Sequence, residues 1–426
     1  MQVHRFIPTV LSFMFLLSSC EILSSQGNGD EAQDESEEFE RRELPRSLST
    51  SEQEVVATSS TFGFELLREV ASDDSQSNHF ISPLSVSMAY LMAMNGADNE
   101  TRDQIRSTLG YHDMDDQEVN EAYQSLIELL TEFDDDVEFN IANSIWHRDS
   151  FDIQQNFLDI NREYLNAVIQ AADFNDDATV DEINQWVAEH TNDLIQQIVE
   201  GPIDPLTMMY LINAIYFSGD WTVPFDEEQT RDESFYLADE QEIEVPMMTL
   251  PSDYRVPFTR TQEYKAMDLF YGDAGFAMTV ILPDEDTPMD EFISGLDSQY
   301  WQEITDSMQE TELAEITLPR FEVEYEVEDF PQILRNLGII DAFDPDLSDF
   351  SRINPDHEDL HISDSRHKTF ISVDEKGTDA AAVTSAEISV TSVPPSMRVD
   401  RPFLYAIREV ESNTILFIGT MMNPAE

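Results

Sequence analysis

Two histidines bracket a short acidic stretch at His357-Glu358-Asp359-Leu360-His361. The pattern HExxH is that of a hydrolytic zinc site, with two imidazoles one helical turn apart and a carboxylate beside them as base. Such chemistry needs a helix and a packed shell that orients the ligands. Here Asn354-Pro355 precedes the motif, a strand pattern starts at about residues 360–367, and the flanks are polar. No GxSxG elbow and no phosphate-binding glycine loop occurs, and the sole cysteine, Cys20, sits in the N-terminal leader. No carboxylate pair stands out among 88 acidic residues. A zinc hydrolase is therefore the least supported reading. We expect no enzyme activity, no metal and no cofactor.

A second stretch carries a different kind of chemistry: VDEKGTDAAAVTSAEISVTS, residues 373–392. It holds no large aromatic residue, its one large aliphatic is Ile388, and it is too rich in alanine for a simple acidic linker. Written as a strand, one face takes Thr378, Ala380, Ala382, Thr384, Ala386 and Ile388. The other takes Gly377, Asp379, Ala381, Val383, Ser385, Glu387 and Ser389. Both carboxylates fall on the second face, and a one-residue slip would bury them at high cost. The stretch thus reads as a strand able to enter a sheet with its small face toward a core. An ordinary small-residue loop also fits, because two acids share a parity half the time.

The elements around these stretches mix helices and strands without βαβ regularity, which predicts an α+β fold with several sheets. FGFELLREV (62–70) has helical spacing. Ser82 and Pro83 open an apolar helix, buried nearly all round, over 80–97. A polar helix over 98–110 ends at Gly110, and another helix is predicted over 177–198. Strands are predicted over 138–148, 275–283, 367–377 and 402–422, the last folded at a Ser412-Asn413 turn. Residues 314–330 begin with strand-like alternation, and 330–339 read as a short helix. The run 206–221 is nearly all apolar, as in a strand covered on both faces.

The chain has 426 residues, with 22 basic side chains against the 88 acidic ones and a formal net charge of −66. Lysine occurs only at Lys265, Lys368 and Lys376. Such a surface repels phosphate, so a nucleic-acid partner is excluded. Acidity keeps a protein soluble; the sharper expectation is a halophilic protein adapted to high salt, where screening weakens self-repulsion. The start MQVHR is basic, FIPTVLSFMFLL is apolar and SSC follows, which is a secretory signal too short for a comfortable membrane span. Leu17-Ser18-Ser19-Cys20 resembles the lipobox of bacterial lipoproteins. By that resemblance Cys20 would be lipidated and would anchor the protein outside the cytoplasmic membrane. The alternative is an ordinary signal with an incidental cysteine and a secreted product. Residues 21–58 read as an acidic, disordered tether, and 59–426 as one domain.

With these pieces in place the chain resembles the serpins, the serine-protease inhibitor family, over essentially all of 59–426. The resemblance rests on FISPLSVSMAYLMAMNGADNETRDQI (80–105), LINAIYFSGDWTVPFD (211–226), ITLPRFEVEY, LGIIDAFDPDLSDFS, HISDSRHKTFISVDEKG, the hinge-like DEKGTDAAAVT (374–384), DRPFLYAIRE (400–409) and TILFIGTMMNP (414–424). It implies a fold of three β-sheets with about eight or nine helices and an exposed reactive-centre loop, here about 375–395. It also implies a suicide-substrate mechanism. A target serine protease attacks the loop, forms an acyl-enzyme, and is trapped when the cut loop inserts as a new strand of the main sheet. Family spacing puts the reactive bond at Thr391-Ser392, with Val390, Val393 and the secondary anchor Ile388 setting preference for an elastase-like or subtilisin-like target. A cut after Val390 is the alternative register. Arg398 lies too far along for trapping, which argues against trypsin-like targets. Glu375, Lys376, Gly377, Thr378, Asp379, Ala380, Ala381 and Ala382 correspond to the hinge. Ser82, Ser85, Asn213, His367 and Trp221 correspond to the cluster around the sheet opening. A monomer is expected, with no heparin-type cofactor, since the basic helix of heparin-activated relatives is absent. The competing reading is a non-inhibitory serpin acting as a binding or structural protein; the small residues at Thr378, Ala380 and Ala382 argue against it.

Overall fold

Helical structure reaches further toward the N-terminus than the charge pattern predicts. In the computed structural model, which describes residues 41–250, 254–357, 359–377 and 394–426, helix α1 runs Thr50–Asp73. Ser49 caps it: the Glu52 N–H donates to Ser49 Oγ at 3.2 Å and the Ser49 N–H donates to Glu52 Oε2 at 2.6 Å, a reciprocal capping box. Arg46 grips the same Glu52 carboxylate with two nitrogens at 2.8 and 2.5 Å. Leu44, Val55 and Val56 are buried. The expected tether over 21–58 is therefore corrected: its last residues are an arm and the first turns of α1, because three apolar side chains find a core there. The arm is stitched to the domain. Arg42 bonds Asp273 at 2.7 Å through its side chain and at 3.2 Å through its N–H. Arg41 meets Glu310 at 2.7 Å, and the Leu44 N–H donates to Glu411 at 2.7 Å.

The other helices are α2 (Pro83–Gly96), α3 (Asn99–Thr108), α4 (Asp116–Thr131), α5 (Gln155–Leu165), α6 (Ala178–His190), α7 (Met289–Gly295), α8 (Ser298–Ser307) and α9 (Phe330–Leu337). The strands are β1 (His79–Ile81), β2 (Val137–Arg148), β3 (Val168–Ala172), β4 (Met209–Gly219), β5 (Arg231–Tyr236), β6 (Glu242–Thr249), β7 (Arg255–Arg260) and β8 (Tyr264–Tyr271). They continue with β9 (Phe276–Pro283), β10 (Gln309–Glu312), β11 (Glu315–Pro319), β12 (Phe321–Glu326), β13 (Lys368–Val373), β14 (Ser396–Arg398), β15 (Phe403–Glu409) and β16 (Ile415–Met421). Strands and helices alternate irregularly, so the fold is α+β.

Among the described residues the strands form four hydrogen-bonded sheets: β1-β16-β15-β9-β8-β7-β10, β14-β11-β6-β5, β3-β2-β4 and β12-β13. Every residue of β9, β15 and β16 is buried, as expected of strands covered on both faces. Among the described residues β4 and β13 do not pair, which leaves the sheet that would otherwise run from β3 to β12 in two parts, so that the expected three sheets stand as four hydrogen-bonded groups.

Three local expectations also change. The helix predicted over 177–198 stops at His190, where Asn192 and Asp193 adopt φ of 50° and 63°; short polar side chains tolerate this left-handed turn and end the helix. The strand predicted over 367–377 begins as expected, at Lys368, but ends at Val373. The 206–221 run is a strand, but Met209, Tyr210, Leu211, Asn213, Phe217 and Ser218 are only partly buried; among the described residues β4 pairs along one edge only, with β2.

Starting the chain at Arg41 should leave the denaturation midpoint unchanged, whereas starting it at Ser59 removes Val55, Val56 and the Arg46–Glu52 pair. Two buried valines at about 1.5 kcal/mol each predict a loss of at least ~3 kcal/mol, read from denaturant unfolding of the two truncations.

Candidate functional site

Strands β4 and β13 face each other across a slot and, among the described residues, do not pair with each other. No backbone hydrogen bond joins 209–218 to 360–373 among the described residues. Strand β4 has 11 residues, about 36 Å of edge at ~3.3 Å per residue.

The slot is closed at one end only. There the Trp221 N–H donates to the Lys376 carbonyl at 3.0 Å, the Phe225 N–H donates to the Glu375 carbonyl at 2.8 Å, and Trp221 Nε1–H donates to the Asp374 carbonyl at 2.9 Å. The indole stacks on Tyr271 with centroids 4.3 Å apart and planes 17° off parallel. Glu375 is buried and lies 3.7 Å from Arg320. Gly377 has φ +87°, and a Cβ there would sit 2.3 Å from the Trp221 nitrogen, so only glycine fits where the chain turns past the tryptophan. Lys376 reaches toward Glu227 at 3.8 Å.

The floor is α2, whose N-terminus binds both sides of the slot. The Ser82 N–H donates to His367 Nε2 at 3.0 Å, next to β13. Ser82 Oγ donates to the Leu416 carbonyl at 2.7 Å and accepts the Ser85 N–H at 3.2 Å. Ser85 Oγ donates to Asn213 Oδ1 on β4, and Asn213 Nδ2 donates to Asn143 Oδ1 at 2.8 Å on β2. The structure thus brings Ser82, Ser85, Asn213 and His367 into one polar chain on the apolar floor. Trp221 is not part of it but forms the closed end. Sequence reasoning missed Asn143 and Tyr271. Asn143 pairs with Asn213 in the β2–β4 register, and the matching fragments NIANS and LINAI were the available signal. Nothing in the sequence marks Tyr271.

The hinge residues Thr378, Asp379, Ala380, Ala381 and Ala382, the reactive bond Thr391-Ser392, the positions Ile388, Val390 and Val393, and Cys20 lie outside the described residues. Arg398 lies in β14 and is held by Glu233 at 2.8 Å and Glu315 at 3.2 Å. Among the described residues of the HExxH stretch (His357, Asp359, Leu360 and His361) none is helical. His357 lies in a turn with its ring 5.3 Å from Phe151, and His361 Nδ1 is 2.9 Å from the Asp359 carbonyl. Among the described residues the carboxylates that converge most closely are Asp134, Asp136 and Asp273, and Arg42 already bonds Asp273 and lies 3.8 Å from Asp134.

Burial pushes the His367 imidazole down to about 4. The folded state therefore holds His367 neutral, while the unfolded chain protonates it below its ordinary value near 6.5. The stability that His367 contributes is complete above about pH 6.5 and is lost as pH falls toward 4, roughly 3 kcal/mol in all. His367→Gln cannot titrate. The stability difference between parent and variant should shrink over that window and stay flat from pH 7 to 9, as measured by chemical denaturation.

A family model described as serpin (serine protease inhibitor) matches residues 57–424. Human neuroserpin is 31% identical over 389 residues, covering 88% of this chain and 92% of that protein. The structure of the thermophilic serpin tengpin in its native state aligns with TM-score 0.78 and 33% identity, covering 89% of this chain and 95% of tengpin. Human thyroxine-binding globulin in complex with its hormone aligns with TM-score 0.78 and 27% identity, over 88% of this chain and all of that one.

Proposed function

The chain belongs to the serpin family, and on that premise we propose that it is an irreversible suicide-substrate inhibitor of elastase-like or subtilisin-like serine proteases. The observation that carries the reading is the slot: among the described residues β4 and β13 stand over an apolar floor without pairing, and they are joined where Trp221 meets Lys376. Residues 378–391, extended, span about 46 Å at ~3.3 Å per residue, which exceeds the length of β4. Their small face suits passage between strands and packing on α2 without overfilling.

The protease serine hydroxyl attacks the Thr391 carbonyl. The Thr391–Ser392 peptide bond breaks, its nitrogen takes a proton and leaves as the new amino terminus at Ser392, and an ester joins Thr391 to the protease. The freed loop end then fills the slot and satisfies both edges, dragging the acyl-enzyme with it before water can hydrolyse the ester. The protein is proposed to be a monomer that needs no heparin-type cofactor. It is tethered through a lipidated Cys20 outside the cytoplasmic membrane; a mature N-terminus without lipid mass would overturn that part.

Mixing the protein with subtilisin and with elastase in high salt should give a covalent adduct stable in denaturant, and a released peptide beginning at Ser392. Cleavage at that bond with no adduct would favour the alternative, a non-inhibitory serpin. Ala380→Arg places a long cation on the inserting face. It should leave cleavage of the loop intact while cutting the adduct fraction at least about tenfold, because a buried unpaired guanidinium opposes insertion.

A further inference from the structure

The end of the slot away from Trp221 opens into a cavity of about 600 Å³, bounded by α2, the Met209–Asn213 end of β4, residues 198–200, Leu206 and the irregular segment 359–367. This volume lies within the roughly 300–1,000 Å³ of small-molecule sites. Within α2 every residue is buried except Ala89, which opens onto this space. Leu211 and Ile353 add apolar wall, and Tyr210 and Phe330 add aromatic faces.

Among the described residues the charged groups on the lining are Glu200, Asp359, Asp364 and Arg366. Arg366 is already engaged by Asp364 at 3.0 Å, Glu326 at 3.5 Å and Glu200 at 4.0 Å. The carboxylates outnumber the one guanidinium, and the chain as a whole is strongly negative. A ligand carboxylate is repelled at such a mouth, whereas an ammonium group is drawn in and can rest against the aromatic faces while its tail takes the apolar walls.

We propose that this cavity binds small apolar ammonium compounds, and that an occupied cavity stops the reactive loop from completing its insertion. The inserting strand needs the same space between β4 and residues 359–367, so ligand and loop end exclude each other. The blocking half rests on the inhibitory reading above; the binding half does not.

The test uses octyltrimethylammonium, with octanoate at matched ionic strength as the control, in calorimetric titration of the protein. Saturable one-to-one binding is expected, at least about tenfold tighter than octanoate. Ala89→Leu fills the cavity without touching either strand edge and should lose the binding while melting no lower than the parent. Glu200→Gln with Asp359→Asn should narrow the preference for ammonium over carboxylate. With subtilisin present, a saturating level of the probe should leave loop cleavage intact and lower the adduct fraction several-fold in the parent but not in Ala89→Leu. Equal binding to Ala89→Leu would mean that the acidic surface alone attracts the probe and would overturn the site. Binding with an unchanged adduct fraction would overturn the block. No adduct even without the probe would sink the inhibitory reading and the block with it, while the titration still decides the binding half.

Discussion

Among the described residues, the peptide groups of β4 and β13 that face the slot form no hydrogen bond with each other. A free strand edge is open to any extended chain that can reach it, and each pairing it gains adds on the order of 1 kcal/mol. The remaining architecture holds these edges apart and ready. Helix α2 provides a floor on which both can rest. Its N-terminal Ser82 and Ser85 hold His367 and Asn213 by hydrogen bonds that can be exchanged individually. Trp221, stacked on Tyr271, pins one end through two bonds, to Asp374 and Lys376, and the Phe225 N–H adds a third to Glu375. Those bonds lie directly before Gly377, where the loop leaves the sheet.

Much of this was legible in the residues, for specific reasons. Ser82-Pro83 followed by an apolar run marks α2, since a cap, a proline at the first turn and an unbroken apolar surface have few other uses. The alternation in Phe321–Glu326 marks β12. The start of α1 was hidden because the acidic residues of 21–58 outweigh Leu44, Val55 and Val56 in any average, though each of these is buried. The end of α6 was hidden because Leu194, Ile195 and Ile198 keep helical spacing past the turn at Asn192. The slot itself could not be read. An apolar run such as Met209–Gly219 looks the same whether its second edge is paired or open, because pairing uses backbone atoms that every residue shares. The hinge and reactive bond rest on the sequence reading and family membership.

Charge shapes the molecule in a more local way than its total suggests. Basic side chains are few, and several are placed where they join segments distant in sequence. Arg408 and Asp268 form a buried pair at 2.7 Å between β15 and β8, with Thr279 of β9 completing the network. Arg148 is buried beside Phe174 and holds the carbonyls of Thr207 and Asp204. Buried guanidinium groups of this kind need every donor satisfied, and salt screens them far less than the exposed acidic surface.

The arm at Arg41–Leu44 has a further consequence. Arg42 bonds Asp273, the neighbouring Gly272 N–H donates to the Asp220 carbonyl at 2.8 Å, and Trp221 bonds Lys376. The arm therefore lies a few hydrogen bonds from the place where the loop departs. The arm at Arg41–Arg42 and the departure point at Gly377 are neighbours. On the proposed reading, a protease approaching the loop comes close to the surface that holds the arm, and capture then carries it to the far pole. An unspent molecule would face its mooring and a spent one would hold its cargo outward, so the two states would differ in what they offer to any third protein in solution.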